Sequence, residues 1–340
     1  MAPSISPNVL GPALASPVVS IGLPVYNGER FLGQTLEDFC AQTFGDFELV
    51  IVDNASTDAT PDIAHRYALR DMRIRYVRNE ANIGSLPNFN RAFRLSAPAP
   101  YFAWAAHDDR HSPDFLGRLL ALLEADPTAS LAYGRAVYID DDEEVLPYDD
   151  PMGAFLAPDG MAYNDDRALE DDIDGLPSRR FERVLLSTML NTPIHGVFRR
   201  SVLEKSSLHH FYGSDTLLLA EAALAGPFRF ADDDLFRWRL HPAGTAYMTR
   251  EQWAERETGI EGFRPKLPLR SLPRYLRAVA RAGLGPVEAT RAYAAVARYV
   301  LRADKLKRTF VPGPDNYLGL RRWPWRPETQ SAAPTEAAHS

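Results

Sequence analysis

At the centre of the sequence, Tyr101-Phe-Ala-Trp-Ala-Ala-His-Asp-Asp109 runs from aromatic and small apolar residues into acid. An apolar run of this length, bounded by Pro100 and polar residues, predicts a buried central strand. It ends on two adjacent carboxylates, Asp108 and Asp109, with His107 beside them. In an open parallel sheet, chemistry lies just beyond the carboxyl ends of the strands. Neighbouring carboxylates repel unless something positive binds near them. A divalent metal carrying a phosphorylated ligand suits such a pair. The plainer alternative is an Asp pair capping a helix that starts near Ser112-Pro113.

Upstream, strands and helices alternate. Val18 to Asn27 reads as a first strand ending in an Asn27-Gly28 turn, and Phe31 to Phe44 as an amphipathic helix. Phe47 to Asp53 is nearly all apolar until its last residue, as in a strand buried on both faces of a parallel sheet. Asn54 to Asp58 is a polar turn, and Ala59 to Ala68 a helix with Pro61 in its first turn. Ile74 to Val77 is a third strand, Asn79 to Gly84 a loop and Leu86 to Leu95 a helix. This rhythm predicts an α/β fold with a doubly wound, mostly parallel sheet.

Downstream the pattern loosens. Phe115 to Glu124 is a helix and Ser130 to Ile139 a strand. Asp140 to Glu144 is a charge run, read as a solvated turn. Residues 145–176 are rich in Pro, Gly and Asp without clear periodicity, which suits a mobile lid. Arg180 to Leu190 reads as a helix, Ile194 to Phe198 as a short strand, and Asp215 to Ala225 as a helix closing at Gly226. Phe228 to Phe230 and Leu235 to Arg239 read as two strands across an Asp232-Asp-Asp234 turn. Leu272 to Ala282 and Pro286 to Phe310 read as two basic helices, followed by an aromatic and basic cluster, Arg321 to Arg326. Basic amphipathic segments with tryptophan suit peripheral contact with an anionic membrane. The alternative is an appendage packed on the sheet domain.

Bulk properties narrow the function. The chain has 340 residues, 45% hydrophobic and 24% charged, enough for one large α/β domain with an appendage or for two domains. A net charge of -7 gives no general attraction to nucleic acid, so no such partner is expected. A single cysteine, Cys40, excludes an intramolecular disulfide and a cysteine-built zinc site. It lies in a stripe with Leu32, Leu36 and Phe39, and a core role is expected. The start of the chain lacks the pattern of a signal peptide, and no stretch is apolar for long enough to span a bilayer. A soluble, cytoplasmic protein is expected.

No G-x-G-x-x-G follows the first strand, no P-loop occurs, and no nucleophile elbow centres on a serine. The chemistry-bearing residues are acids at strand ends: Asp53 after the second strand, and the acid pair after the fourth. From position alone Asp53 could bond a base or ribose, or cap the next helix.

Leu23-Pro-Val-Tyr-Asn27, Val52-Asp-Asn-Ala-Ser-Thr-Asp58, Asn82-Ile-Gly84 and His107-Asp-Asp109 follow one another in order and spacing. Together they resemble the family 2 glycosyltransferases, which have the GT-A fold. Gly196-Val-Phe-Arg-Arg200 and Gly213-Ser-Asp215 extend the resemblance to about residue 245, leaving the helical tail outside it. It implies an inverting, metal-dependent transferase with a nucleotide-diphosphate sugar, by preference a UDP-sugar, as donor. Pro24, Tyr26, Asn27 and Asp53 would hold the nucleotide, with Asp53 on a ring nitrogen of the base. Asn82, Gly84 and Asn88 would line the donor pocket, and Asp108 would face the ribose or sugar. Asp109 would ligate Mn²⁺ or Mg²⁺. His241, in Arg239-Leu-His-Pro, would be a further ligand or a buried, satisfied histidine. Asp215 would be the general base, taking the proton of the acceptor hydroxyl; otherwise it is a helix cap. The chain departs from the family pattern in two places. His107 stands where a first Asp is usual, and Ser214 where a Glu often precedes the base.

The implied division is a disordered tail 1–16, a GT-A domain 17–250 with a nucleotide half 17–110 and an acceptor half 111–250, a basic helical extension 251–326, and a disordered tail 327–340. The acceptor could be a glycan, a lipid-linked glycan or a small molecule. The competing functions are a GT-A-like module that binds nucleotide sugar without catalysis, and a nucleotidyltransferase of related fold. The turn Asn27-Gly-Glu-Arg30 lacks the basic, glycine-rich character the latter needs.

Overall fold

Alternation along the early strands decides which helices lie on which face of the sheet. The computed structural model describes residues 9–10, 16–149, 154–156, 162–164, 169–188, 191–209, 214–241, 244, 252, 255–256 and 271–302. The first half runs β1 (Val9–Leu10), β2 (Val19–Val25), α1 (Leu32–Cys40), β3 (Phe47–Asp53), α2 (Thr60–Arg70), β4 (Ile74–Arg78), α3 (Ser85–Leu95) and β5 (Tyr101–Trp104). Then come β6 (Arg110–His111), α4 (Phe115–Ala125), β7 (Leu131–Ile139), β8 (Tyr148–Asp149), β9 (Ala154–Leu156) and β10 (Ala162–Asn164). The last part holds α5 (Pro177–Ser187), β11 (Val197–Arg199), α6 (Arg200–Lys205), α7 (Asp215–Ala225), β12 (Phe228–Arg239), α8 (Leu272–Arg281) and α9 (Pro286–Val300).

Nine strands form one sheet in the order β1-β4-β3-β2-β5-β11-β7-β12-β6. β4, β3, β2 and β5 pair in parallel, as do β7 and β12. β11 is antiparallel to both β5 and β7, so those two share a direction. Six strands therefore run one way, and β1, β6 and β11 are reversed. β8, β9 and β10 form a small antiparallel sheet of their own. The expected α/β, mostly parallel architecture is the one found.

On one face, Val19, Ile21, Leu23 and Val25 of β2 and Phe47, Leu49 and Ile51 of β3 pack with Leu32, Leu36 and Phe39 of α1 and with Leu116 and Leu119 of α4. On the other, Phe102 and Trp104 of β5 meet Phe93 of α3, Val184 of α5, and Leu218 and Leu219 of α7. Gly22 lets α3 close onto β2: a Cβ there would stand 2.9 Å from both Ala92 Cβ and Phe102 Cζ. Each Leu, Ile or Phe so buried contributes about 1.5–3 kcal/mol before entropy is counted.

The C-terminal helices are a packed appendage. Tyr275 and Val279 of α8 and Ala292, Val296 and Tyr299 of α9 form a core with Phe181 and Leu185 of α5 and Leu217 of α7. Their apolar faces are thus engaged by the sheet domain. Their basic faces carry pairs such as Arg298 with Glu182 at 2.6 Å. Among the described residues no helix is long and apolar enough to cross a membrane.

Several local readings change. Phe228 to Arg239 is one strand, not two across a turn. Its register on β7 slips between Ala231 and Phe236, so the three aspartates lie in a bulge rather than a reversal. Within Ile194 to Phe198, strand starts only at Val197, because Thr192–His195 is a 3-10 turn around Pro193, which has no N–H for a ladder. The first helix stops at Cys40 rather than Phe44. Residues 145–176 are not uniformly irregular: they hold the small sheet, and Ile173 is buried and exchanges backbone hydrogen bonds with Phe228. The expected continuation of the last helix to Phe310, the cluster at Arg321 to Arg326, the tail 327–340 and most of the tail 1–16 lie outside the described residues.

Candidate active site

The rim formed by the carboxyl ends of β2, β3, β4, β5, β7 and β12 collects nearly every acid singled out in the sequence. The reversed strand β11 begins on that rim, which places the Thr192–His195 turn there too.

At the β2–β3 side, Pro24 is buried in its strand, whereas Tyr26 and Asn27 are exposed beyond it. Asn27 has φ 52° and is held there by its neighbours. Its N–H donates to Ser56 Oγ at 2.9 Å, and its Oδ1 accepts the Thr57 N–H at 2.9 Å. Gly28 is required by close approach, since a Cβ would lie 2.6 Å from His107 Cδ2. Asp53 has no exposed surface. Its Oδ1 accepts the Ser56 N–H at 2.8 Å; its Oδ2 accepts the Tyr76 hydroxyl at 2.7 Å and Arg78 Nη1 at 2.6 Å. The side chain that reaches solvent from this cluster is Arg78, 30% exposed.

The amides of the donor loop interlock. Asn79 Nδ2 donates to Asn54 Oδ1 at 2.9 Å and to Asn88 Oδ1 at 2.8 Å. Asn88 Nδ2 donates to Val52 O at 2.8 Å. Asn54 Nδ2 reaches Asn82 Oδ1 at 2.8 Å, and that oxygen also accepts the Gly84 N–H at 2.9 Å. Gly84 takes φ 85°, which favours glycine. Asn82 and Asn88 thereby shape the loop, and the Asn88 side chain is buried.

Past β5 the charges converge. Asp108 Oδ2 lies 3.1 Å from His241 Nε2, and its Oδ1 4.0 Å from His107 Nδ1. Asp109 Oδ1 accepts the Arg239 backbone N–H at 3.0 Å, and its Oδ2 lies 4.0 Å from His195 Nδ1. Burial works to raise the pKa of Asp108, but His107, His241 and Arg256 outweigh it and hold the carboxyl below its usual range. Burial and the Asp108 charge push Asp109 well up. A cation beside the pair would favour the charged form of both carboxyls. His195 is driven down to about 4 by burial, opposed by the charges of Asp215 and Asp108.

The donor set fits a divalent ion bound jointly by protein and phosphate. Among the described residues no three acid, imidazole or thiol groups close on one point. Hard ions of this kind take one or two carboxylates and complete their shell with substrate phosphate and water. Asp108 and Asp109 are the two adjacent carboxylates on this rim that could fill that role. His241 is 5% exposed, its Nδ1 has no partner among the described residues, and its Nε2 steadies Asp108.

Asp215 opens α7, with its side chain 27% exposed, and acts electrostatically on the same His195 that Asp109 approaches. The rim thus brings together Asp108, Asp109, His241 and Asp215. Pro24, Tyr26, Asn27, Asp53, Asn82, Gly84 and Asn88 form its other part.

Three further residues organise this rim and were not selected from the sequence. Arg239 has a fully buried side chain that donates to the carbonyls of Asp108 at 2.9 Å and of Asp140 and Asp141 at 3.1 Å each. Its guanidinium also stacks on Phe31 at 4.5 Å. His195 stacks on Phe236 at 4.5 Å. His209 approaches Asp215. Arg239 and His195 lie inside segments already noted, but nothing in their spacing marks them.

Residues 20–206, more than half of the chain, match the family model described as glycosyl transferase family 2. An uncharacterised glycosyltransferase of Rickettsia typhi is 26% identical over 261 residues, 74% of this chain and 73% of the relative. TuaG of Bacillus subtilis, named for teichuronic acid biosynthesis, is 31% identical over 160 residues, 47% of this chain and 60% of its own. The match thus spans less than two thirds of that relative. Among solved structures, residues 1–349 of S. aureus TarS in complex with UDP align with a TM-score of 0.59 at 16% identity, covering 87% of this chain and 75% of that one. At that identity the likeness establishes the fold.

Proposed function

The chain belongs to glycosyl transferase family 2, and on that premise we propose that it moves a sugar from a nucleotide-diphosphate sugar to an acceptor hydroxyl with inversion at the anomeric carbon. A UDP-sugar is the favoured donor. One observation carries the reading: the buried acid pair Asp108–Asp109 follows the central strand β5 on the rim formed by the carboxyl ends of the parallel strands, with Asp109 Oδ2 4.0 Å from His195 Nδ1 and Asp108 Oδ2 3.1 Å from His241 Nε2.

In this mechanism Tyr26 and Asn27 line the nucleotide site, and Asp53 anchors its floor by holding Tyr76 and Arg78. The interlocked amides of Asn82 and Asn88 keep the Gly84 loop in the shape that admits the donor. Asp108 and Asp109, with His241 bracing Asp108, would hold Mn²⁺ or Mg²⁺. When bound, that ion supplies charge neutralisation for the departing diphosphate. Asp215 takes the proton of the acceptor hydroxyl as its oxygen attacks the anomeric carbon. The new carbon–oxygen bond forms on the face opposite the breaking bond to the diphosphate, which inverts the centre. Residues 17–110 would form the nucleotide half and 111–250 the acceptor half, with the helical extension after them. The acceptor would be a glycan, a lipid-linked glycan or a small molecule.

TarS has been solved with UDP and with UDP-GlcNAc, so UDP-sugars head the test panel. Thermal shift and donor hydrolysis are measured with UDP-, GDP- and dTDP-sugars in Mn²⁺, Mg²⁺ and EDTA. One donor should give metal-dependent stabilisation and slow hydrolysis. Folded protein that responds to no donor would overturn the reading.

A further inference from the structure

Phe236 and Trp238 alternate out of β12 on one side, paired across to Ala136 and Tyr138 of β7. Phe236 is buried, whereas Trp238, nearer the end of the strand, is only half-buried. The mechanism leaves both rings unused. In the strand order β3-β2-β5-β11-β7-β12 they stand on the far side of β5 from Asp53 and the nucleotide strands. We propose that Trp238 and His195 form the acceptor subsite, a corner in which a pyranose ring lays its C–H face on the indole and turns its hydroxyls towards the acid pair and Asp215. The proposal rests on the transferase reading and deepens it by naming the class of acceptor, a carbohydrate.

The rings are held from behind. Tyr138 stacks with the indole at 5.7 Å and 27°, and Phe155 of the small sheet packs on Tyr138 at 4.4 Å. His195 stacks on Phe236 at 4.5 Å and 17°, and lies 5.4 Å from the Trp238 ring at 53°. The two rings that stay partly open therefore meet at an angle, as a corner rather than a flat patch. Their polar atoms are also uncommitted. Trp104, buried in the central strand, gives its Nε1–H to Phe89 O at 3.1 Å, but the Trp238 Nε1–H has no acceptor among the described residues. His195 Nδ1 stands 4.0 Å from Asp109 Oδ2, beyond hydrogen-bond length, so the imidazole is not spent on the acid pair. A ring that is apolar on its face and polar at one edge matches a sugar, which shows C–H groups on a face and hydroxyls around its rim. An alkyl chain would leave the indole N–H and the imidazole without partners. The corner is also in the right place. His195 adjoins Asp109 and feels the charge of Asp215, so a sugar seated there stands beside both the proposed metal site and the proposed base.

Saturation-transfer difference NMR on the full chain tests this, in Mg²⁺ with UDP, GDP and dTDP added in turn. The probes are the methyl glycosides of glucose, galactose, mannose and N-acetylglucosamine, with 1-butanol as the apolar control. At least one glycoside should receive saturation, concentrated on the ring protons of one face, and butanol none. Trp238→Phe, which keeps a ring, should retain part of that transfer. Trp238→Leu, which keeps apolar bulk against Tyr138 but has no aromatic face, should weaken the glycoside about tenfold. The nucleotide signal in the same samples shows that each protein is folded and loaded. Nucleotide uptake without any glycoside signal overturns the proposal, as does native glycoside transfer in Trp238→Leu or butanol saturated as strongly as the sugars. Saturation spread evenly over both faces of the sugar in the native protein also overturns it, and needs no variant. Folded native protein that takes up none of the three nucleotides would instead refute the transferase reading on which the proposal rests.

Discussion

Arg239 donates its backbone N–H to Oδ1 of Asp109 across 3.0 Å, although the two stand 130 residues apart in sequence. The same residue's guanidinium is fully buried on the ring of Phe31 and satisfies the carbonyls of Asp108, Asp140 and Asp141. It also meets Gln34 Oε1 at 3.0 Å and Glu143 Oε1 at 3.1 Å. Removing it strands several buried oxygens, and breaking one side of a buried charged network costs about 3–5 kcal/mol. Arg239→Ala should therefore unfold at markedly lower urea. Arg239→Lys, which lacks the planar fork, should recover only part of that loss. Equal urea midpoints for wild type and Arg239→Ala would contradict this network.

Which parts of this rim were legible beforehand follows from the range of the forces involved. β3 could be read because Phe47 to Asp53 is nearly all apolar, and burial on both faces leaves that mark on any strand. The acid pair could be read because it stands at a strand end, where topology puts chemistry. β12 reads as two strands because the acids of its bulge look like a turn, and only pairing with β7 shows that the strand resumes. Asn82 and Asn88 read as donor-facing groups, yet their carboxamides bond other parts of the chain, partners that only the fold selects. Arg239 and His209 are defined by contacts with residues far away in the sequence, and local spacing has no access to such contacts.

Asp109 has two tasks in this reading, and a substitution can part them. Alanine would remove both the acceptor for the Arg239 N–H and the metal ligand. Asparagine keeps an acceptor oxygen but loses the charge. Asp109→Asn should thus keep close to native urea stability while losing the Mn²⁺-dependent thermal shift with donor. EDTA should do the same to the native chain. A full metal-dependent shift in Asp109→Asn would remove Asp109 from the ligand set.

The pair Asp126–Arg229 predicts an acid-side stability change. Asp126 accepts the Thr128 hydroxyl and N–H at 2.6 and 2.9 Å, and Arg229 Nη2 and Nε at 2.6 and 2.9 Å. The Thr128 bonds, then Arg229, hold its pKa down to about 2, from a usual value of 3.8. A lowered carboxylate pKa stabilises the fold above the unfolded value, and the gain is lost as pH falls through the folded one. Asp126→Asn should cost about 1 kcal/mol at pH 7, allowing for solvent screening. The gap between the two proteins should close between about pH 4 and pH 2. Urea melts across that range check it, and a gap that persisted at pH 2 would exclude the ionic contribution.

Cys40 ends α1 and packs against the core, and burial, followed by the charges of Asp71 and Glu37, pushes its thiol up to about 11. The thiolate is the reactive form. At pH 7 the folded chain should react with a disulfide reagent far more slowly than the same chain in urea, and Cys40→Ser should leave donor hydrolysis unchanged. Fast modification of folded protein at pH 7 would contradict the packing described for this helix.

Asp215 gives the most direct test of the chemistry. Its carboxylate stands on α7, apart from the β2–β3 end of the rim where the nucleotide would bind. Removing its charge should therefore leave donor affinity intact. A positioned general base contributes about a hundred- to ten-thousandfold to the rate. Asp215→Asn should bind the chosen UDP-sugar with unchanged Kd by calorimetry and lose transfer by that factor. The isosteric amide keeps the start of α7, so a loss of rate cannot be ascribed to a missing cap or a collapsed helix, and near-native melting confirms that control. Weakened donor binding in this variant would move Asp215 into the donor site, and an unchanged rate would assign the proton to another group on the rim.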